Sequence, residues 1–190
     1  MQEACEQTTG AMAAMIGGDE SAVRALAAEL DVDVANLNSP GQIVISGETA
    51  SVTRAVSLAK ERGIRTAKML NVAGAYHSRL MNSAFIRLGE ELARTEFKTP
   101  RFPVICNTDA GPVSTTEEIR ASLEDQVTGT VRWSESLEYL VDREQCELFI
   151  ELGPGRVLAG LLNRTRKGTK CVSIEDCASL DAALPELRAQ

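Results

Sequence analysis

The sequence predicts an α/β fold in which a ferredoxin-like βαββαβ subdomain is followed by a longer region of alternating helices and strands. Four short apolar runs separated by turn signals and two amphipathic helical patterns lie within residues 8–72, the order that defines the split βαβ arrangement. Longer helical patterns divided by single apolar runs fill residues 73–190. With 44% hydrophobic and 25% charged residues, the composition is ordinary for a globular protein.

The elements of the first subdomain follow from residue periodicity and turn chemistry. Val23, Leu26 and Leu30 recur at helical spacing behind an acidic first turn, so a helix is expected there. The stretch Asn38-Ser-Pro-Gly41 has the proline and glycine of a tight turn and joins two apolar runs into a hairpin. In chain order we expect a strand at 10–17, a helix at 19–30, strands at 32–37 and 42–46, a helix from 49 or 51 to 63, and an extended segment at 64–72.

The second region, residues 73–190, has a different pattern. Its first helix carries an apolar stripe that ends before Pro100. The remaining elements are expected as a strand at 104–107, helices at 115–125 and 134–141, a strand at 147–152, a helix at 156–164, a strand at 171–174 and a C-terminal helix. These amount to only about three strands, fewer than a typical sheet contains. We therefore interpret this region as part of a sheet whose other strands are missing.

Composition and charge exclude several classes of function. The net charge of −7 and the lack of basic clusters argue against a nucleic-acid surface. No apolar run is long enough to span a membrane, and no basic segment precedes an apolar one at the N-terminus, so we expect a cytoplasmic protein. The five cysteines form no Cys-x-x-Cys pair and a single histidine is present, so neither a disulfide framework, a metal site nor a bound cofactor is expected.

The only histidine, His77, lies where an extended apolar run breaks at a glycine before a helical pattern. Histidine is the side chain whose unperturbed pKa allows proton exchange near neutral pH, and a strand-to-helix junction can present it to a cleft. A general acid or base is therefore one interpretation. A capping or core histidine is the other.

Five segments together resemble the C-terminal part of the malonyl-CoA:acyl carrier protein transacylases. Each is weakly specific by itself, but all five occur in the order that this family has. They are Gly10–Gly17, Asn36–Gly47, Val72–Met81, Gln126–Trp133 and Glu151–Leu161. The resemblance implies a ferredoxin-like small subdomain at residues 8–72 and the C-terminal part of an α/β-hydrolase-like large domain at residues 73–190.

The resemblance also implies roles for particular residues. His77 matches the catalytic histidine that takes the proton of a serine, and Gln126 matches a residue whose backbone carbonyl orients the imidazole. Asn38 and Tyr76 match positions that contact substrate, although Asn38 is equally well explained as a turn residue. The implied reaction is malonyl transfer from coenzyme A to the phosphopantetheine thiol of acyl carrier protein in fatty acid synthesis.

The sequence departs from the family in one respect. No Gly-x-Ser-x-Gly elbow occurs in it, and the family's serine, its oxyanion-hole loop and its malonyl-binding arginine all lie upstream of the matching region. We therefore expect this chain to act with an N-terminal acyltransferase segment that supplies the serine, and to be inactive alone. The alternatives are an inactive remnant that binds carrier protein and a piece of a polyketide synthase acyltransferase domain.

Overall fold

The computed structural model of the protein describes residues 1–188. The chain divides into two compact units, residues 1–136 and 137–190. The sequence predicts a different kind of division, between a small subdomain and the rest of a larger fold at residue 72. That boundary lies within the first unit and stays a prediction. The first unit contains the ferredoxin-like sheet together with the segment that carries His77.

The first unit opens with a four-stranded antiparallel sheet whose strand order is β2-β3-β1-β4. This is the βαββαβ order that the sequence predicts, and the hairpin turn lies between the second and third strands as expected. A short N-terminal helix was not expected. The elements are α1 (Gln2–Gln7), β1 (Gly10–Ile16), α2 (Glu20–Glu29), β2 (Asp33–Ser39), β3 (Gln42–Glu48), α3 (Thr49–Leu58) and β4 (Thr66–Met69).

Each face of this sheet is covered by a different part of the chain. Alternate residues of a strand point to opposite faces, and α2 and α3 cover one face with a core that includes Met15, Leu26 and Ile45, each about 1% exposed. Burial of such a side chain contributes roughly 1.5–3 kcal/mol. On the other face, a smaller cluster of Met12, Ala35 and Val44 receives Leu70 and Tyr76, which follow β4. The segment that leads to His77 is therefore packed on the helix-free face.

The remainder of the first unit contains helices and one short hairpin. Its elements are a 3-10 turn (Arg79–Met81), α4 (Asn82–Arg94), β5 (Val104–Cys106), β6 (Gly111–Val113) and α5 (Thr116–Asp125). The helix α6 (Trp133–Asp142) begins in this unit and continues beyond its last residue, Ser136. The expected strand at 104–107 is present, but it pairs antiparallel with β6 instead of joining the later strands. The sequence did not indicate β6 because Pro112 at its centre lacks an N–H, which restricts proline to sheet edges.

The second unit contains a parallel pair of strands joined by a helix. Its elements are β7 (Leu148–Leu152), α7 (Val157–Thr165), β8 (Lys170–Ile174) and α8 (Cys177–Leu187). In the part of the chain that the structure describes, β7 has β8 as its only strand neighbour. Ile150 and Leu152 of β7 are 46% and 78% exposed, although side chains of parallel strands are normally covered on both faces of a sheet.

Three further observations concern membrane spans, disulfides and metal sites. Of the helices between Met1 and Arg188, none combines the length and the hydropathy that a bilayer crossing needs. All five cysteines have free thiols. Over the described residues, no group of three histidine, cysteine or carboxylate side chains is arranged to hold a metal ion.

Glu151 connects the elements of the second unit. Its carboxylate accepts the N–H groups of Leu158 (2.8 Å) and Ala159 (3.2 Å), at the N-terminus of α7, and the hydroxyl of Ser173 (3.0 Å) on β8. Burial alone would raise the pKa of Glu151, but these hydrogen bonds outweigh it and hold the pKa below its usual range.

We expect Glu151→Gln to lower the free energy of unfolding by about 1–2 kcal/mol near neutral pH, because charge-assisted capping bonds are lost. A lowered folded-state pKa contributes stability above the pKa of the unfolded chain, and that contribution disappears as the pH falls through the folded-state value. Denaturant unfolding at several pH values should therefore show the difference between variant and parent shrinking in acid. The exposed Glu147→Gln serves as the matched control; equal effects of both variants at neutral pH would contradict the assignment.

Candidate functional site

His77 lies in a constrained loop between β4 and the 3-10 turn. Its φ is +55°, in the left-handed region that non-glycine residues rarely adopt, so the loop conformation is strained at this residue. The next residue, Ser78, is fully buried, donates its hydroxyl to the carbonyl of Ala75 (2.6 Å) and accepts the N–H of Leu80 (3.3 Å). These bonds close the loop around the histidine and leave its side chain half-buried.

One hydrogen bond orients the imidazole ring of His77. Its Nδ1 lies 2.9 Å from the backbone carbonyl oxygen of Gln126. A carbonyl can only accept, so Nδ1 carries the proton and, in the neutral ring, Nε2 carries the lone pair. Within residues 1–188, no group is hydrogen-bonded to Nε2. Nε2, the ring nitrogen that can accept a proton, is therefore the one without a hydrogen-bond partner among these residues.

The carbonyl of Gln126 is available because it stands at the end of a helix. Gln126 follows α5, and the last carbonyls of a helix have no intrahelical partner and carry the negative end of the helix dipole. The side-chain amide of Gln126 donates to the carbonyl of Gly129 (3.2 Å), which fixes the turn after the helix. This arrangement favours a positive charge on the adjacent imidazole during proton transfer.

Strand β2 holds the segment that follows Gln126. The hydroxyl of Thr130 donates to the carbonyl of Val34 (2.7 Å). The N–H of Val131 donates to the carbonyl of Ala35 and the N–H of Leu37 donates to the carbonyl of Val131, each at 2.8 Å. A residue far along the chain is thereby brought beside the sheet that supports the His77 loop.

An open cleft of about 320 Å³ includes His77 in its lining. The rest of the lining comes from α2, the start of β2 and the turn after Gln126, with Arg24, Ala27, Ala28, Val32, Asp33, Val34, Thr128, Gly129 and Thr130. A second cavity of about 490 Å³ lies between α1 and α4 and does not include the histidine. We therefore place the candidate site at the smaller cleft, where an ionisable group with a free nitrogen is present.

Of the other two predicted site residues, Tyr76 lies in this loop and Asn38 lies on β2, and neither is part of the lining of the cleft. Tyr76 is half-buried and packs against the clusters on either side of its loop, and a hydrogen bond with the thiol of Cys5, with burial, raises the pKa of Tyr76. Asn38 is half-buried on β2, where the register with β3 shifts between Leu37 and Ser39. Their roles in binding substrate stay predictions.

Sequence reasoning missed the residues that support His77 and Gln126. Ser78 could have been found, because a serine immediately before a helix is a common N-cap. Thr130 could not, since its partner Val34 is 96 residues away and no local pattern marks such a contact.

The backbone of the His77 loop also approaches β1 closely at Gly10. A Cβ at Gly10 would lie 2.6 Å from the Cβ and 2.8 Å from the backbone nitrogen of Ala75, and backbone atoms cannot move away cheaply. We therefore expect Gly10→Ala to lower the free energy of unfolding by about 1–3 kcal/mol in urea denaturation. Gly160→Ala, in a helix and with no atom within 4 Å, is the control and should be neutral or stabilising. Equal stabilities of the two variants would contradict the close approach.

Comparisons with known proteins agree with this architecture. The sequence model of the acyl transferase domain family matches residues 1–188. The malonyl CoA-acyl carrier protein transacylase of Bacillus subtilis is 37% identical over 193 residues, which cover 99% of this chain and 61% of that protein. The crystal structure of malonyl-CoA:acyl carrier protein transacylase from Xanthomonas oryzae has a TM-score of 0.91 at 36% identity, covering 97% of this chain and 60% of that one.

A malonyl-transacylase solved in complex with a type II polyketide synthase acyl carrier protein also has a TM-score of 0.91, at 35% identity over 97% of this chain and 62% of that chain. The chain thus spans about 60% of the length of the relatives that it matches. These superpositions confirm the predicted α/β fold class, and the sequence similarity confirms the resemblance to malonyl transacylases. By the match over residues 1–188, the chain belongs to the acyl transferase domain family.

Proposed function

We propose that this chain carries the proton-transfer side of a malonyltransferase that moves malonyl from coenzyme A to the phosphopantetheine thiol of acyl carrier protein. The observation that carries the proposal is the 2.9 Å hydrogen bond between His77 Nδ1 and the Gln126 carbonyl, with Nε2 left free. The relatives named above are malonyl transacylases, and one was solved with an acyl carrier protein. Both facts support this substrate and this partner.

In the proposed reaction, Nε2 of His77 takes the proton of a serine hydroxyl as the serine oxygen attacks the malonyl thioester carbonyl. The carbon–sulfur bond breaks, and the imidazolium returns the proton to the departing coenzyme A thiolate. In the second half, Nε2 takes the proton of the carrier-protein thiol as its sulfur attacks the malonyl–serine ester carbonyl. The carbon–oxygen bond to serine breaks, and the imidazolium returns the proton to the serine oxygen. No cofactor enters either half.

A carbonyl in place of the aspartate of a Ser-His-Asp triad suits this chemistry. It selects the Nδ1–H tautomer as aspartate does, but it stabilises the imidazolium less because it carries only a partial charge. A thioester is more reactive than an amide and needs a less activated nucleophile. The end of α5 adds a favourable dipole next to the ring.

The serine belongs, in this proposal, to an N-terminal acyltransferase segment. The sequence contains no Gly-x-Ser-x-Gly elbow. Among the described residues β7 pairs with β8 alone, and its Ile150 and Leu152 are exposed, which supports a further segment packed on this pair of strands. We also assign Asn38 and Tyr76 to contacts with the acyl group. Both are half-buried, so part of each side chain stays accessible.

The test mixes the purified chain with a polypeptide that bears the family's serine elbow and follows malonyl transfer to holo acyl carrier protein by mass spectrometry. We expect transfer only when both are present, and a loss of about 10²–10⁴-fold in rate for His77→Ala. Gln126→Ala is the matched control: it keeps the carbonyl that binds Nδ1, so its rate should stay within about tenfold of the parent rate.

Two outcomes would contradict the proposal. A stable malonyl adduct on the isolated chain would show a nucleophile within it. If the mixture binds carrier protein without transferring malonyl, and if that binding does not depend on His77, the result would favour an inactive carrier-binding remnant.

A further inference from the structure

A charged cluster of Arg79, Asp31 and Asp33 begins two residues after His77, and its Asp33 is also part of the lining of the cleft. The backbone N–H of Arg79 donates to Asp33 Oδ2 (3.1 Å), and Arg79 Nη1 donates to Asp31 Oδ1 (2.7 Å). A second guanidinium nitrogen of Arg79 is hydrogen-bonded to the backbone carbonyl of Asp31. The His77 loop is therefore attached at several points to the segment between α2 and β2.

We propose that Arg79, together with Asp31 and Asp33, is a positioning residue that fixes the His77 ring against the Gln126 carbonyl. Its relevance to acyl transfer rests on the function proposed above. The positioning itself depends only on the geometry of this chain.

The argument depends on where Asp33 stands. Asp33 is the first residue of β2, and the carbonyls of Val34 and Ala35 directly after it hold the segment that follows Gln126. The first residue of β2, Asp33, thus binds the His77 loop, and the next two residues of the strand bind the segment after Gln126. The distance between the imidazole and the carbonyl is set by one short stretch of strand.

His77 needs such an external anchor because its own backbone is strained. A left-handed φ persists in a non-glycine residue only when surrounding contacts enforce it. Ser78 closes the loop from inside, but its bonds to Ala75 and Leu80 stay within the loop and do not tie it to the sheet. The backbone N–H of Arg79 supplies the connection to β2 through Asp33, and the guanidinium of Arg79 binds Asp31 just before that strand.

Because the side chains of this cluster are exposed, its role in positioning the ring can be measured apart from any effect on stability. The side chains of Arg79, Asp31 and Asp33 are 52%, 83% and 34% exposed, and ion pairs at such exposure contribute little to folding. Loss of the cluster should therefore free the ring while the melting temperature hardly changes.

The experiment uses the full chain with ¹⁵N-labelled histidine, because its single histidine gives one unambiguous pair of ring-nitrogen resonances. At a pH where the ring is neutral, we expect the two ¹⁵N shifts to be widely separated, with Nδ1 protonated. In Asp33→Ala, which removes the acceptor of the Arg79 N–H, and in Arg79→Ala, which removes the guanidinium bonds to Asp31, the separation should shrink toward the average of a freely exchanging imidazole. The control, Arg62→Ala, breaks the exposed Arg62–Glu29 pair (2.8 Å) in the same unit and should leave the spectrum unchanged.

Unchanged ring shifts in both Arg79→Ala and Asp33→Ala would overturn the proposal, and so would an equal change in Arg62→Ala. The proposal would also be overturned if the melting temperature of the variants fell so far that they were partly unfolded during the measurement, because unfolding would then explain the altered spectrum. In the reconstituted transfer assay we expect Arg79→Ala to lower kcat on the order of tenfold with KM little changed. If the parent mixture shows no transfer, the proposed function fails while the ring spectrum still decides the positioning.

Discussion

The hydrogen bond from His77 Nδ1 to the carbonyl of Gln126 is the interaction on which the candidate site depends. It determines which ring nitrogen carries the proton, and so which one can act as a base. It also joins two segments 49 residues apart in sequence. Without it, the only histidine would be a flexible side chain at the edge of an open cleft.

The ferredoxin-like sheet supports this bond from beneath. Helices cover one face, the other face receives the segment after β4, and the segment after α5 is hydrogen-bonded along the edge strand β2. The small subdomain is therefore more than an insertion beside the site, because its edge strand β2 is a common support for both partners of the bond. Gly10 contributes in a similar way, since the absence of a side chain there lets the His77 loop lie directly against β1.

Sequence reasoning recovered most of the fold where the pattern was local. Alternation and helical spacing identified the four strands and two helices of the first sheet, and proline and glycine identified the turn between β2 and β3. It missed β6, where Pro112 conceals an edge strand, and it counted the strand at 104–107 with the later strands instead of in a separate hairpin. The helix α1 is only six residues long and carries no apolar stripe that spacing could reveal.

The candidate site was predictable only in part. His77 was conspicuous because it is the only histidine, but Gln126 was indicated by family resemblance alone, since a main-chain acceptor carries no side-chain signature. The anchors at Arg79, Asp33 and Thr130 act over 46 to 96 residues of sequence separation, and such contacts exist only once the sheet has formed. Tertiary geometry, not local propensity, decides these positions.

The left-handed backbone of His77 sets folding stability against the presence of an imidazole at this position. Glycine or asparagine would relax at that φ, so either replacement should relieve part of the strain while removing the only imidazole. Substitutions chosen for stability alone would therefore replace the histidine. Under the proposed function, only proton transfer by the imidazole would offset this backbone cost, because folding alone favours the other two residues.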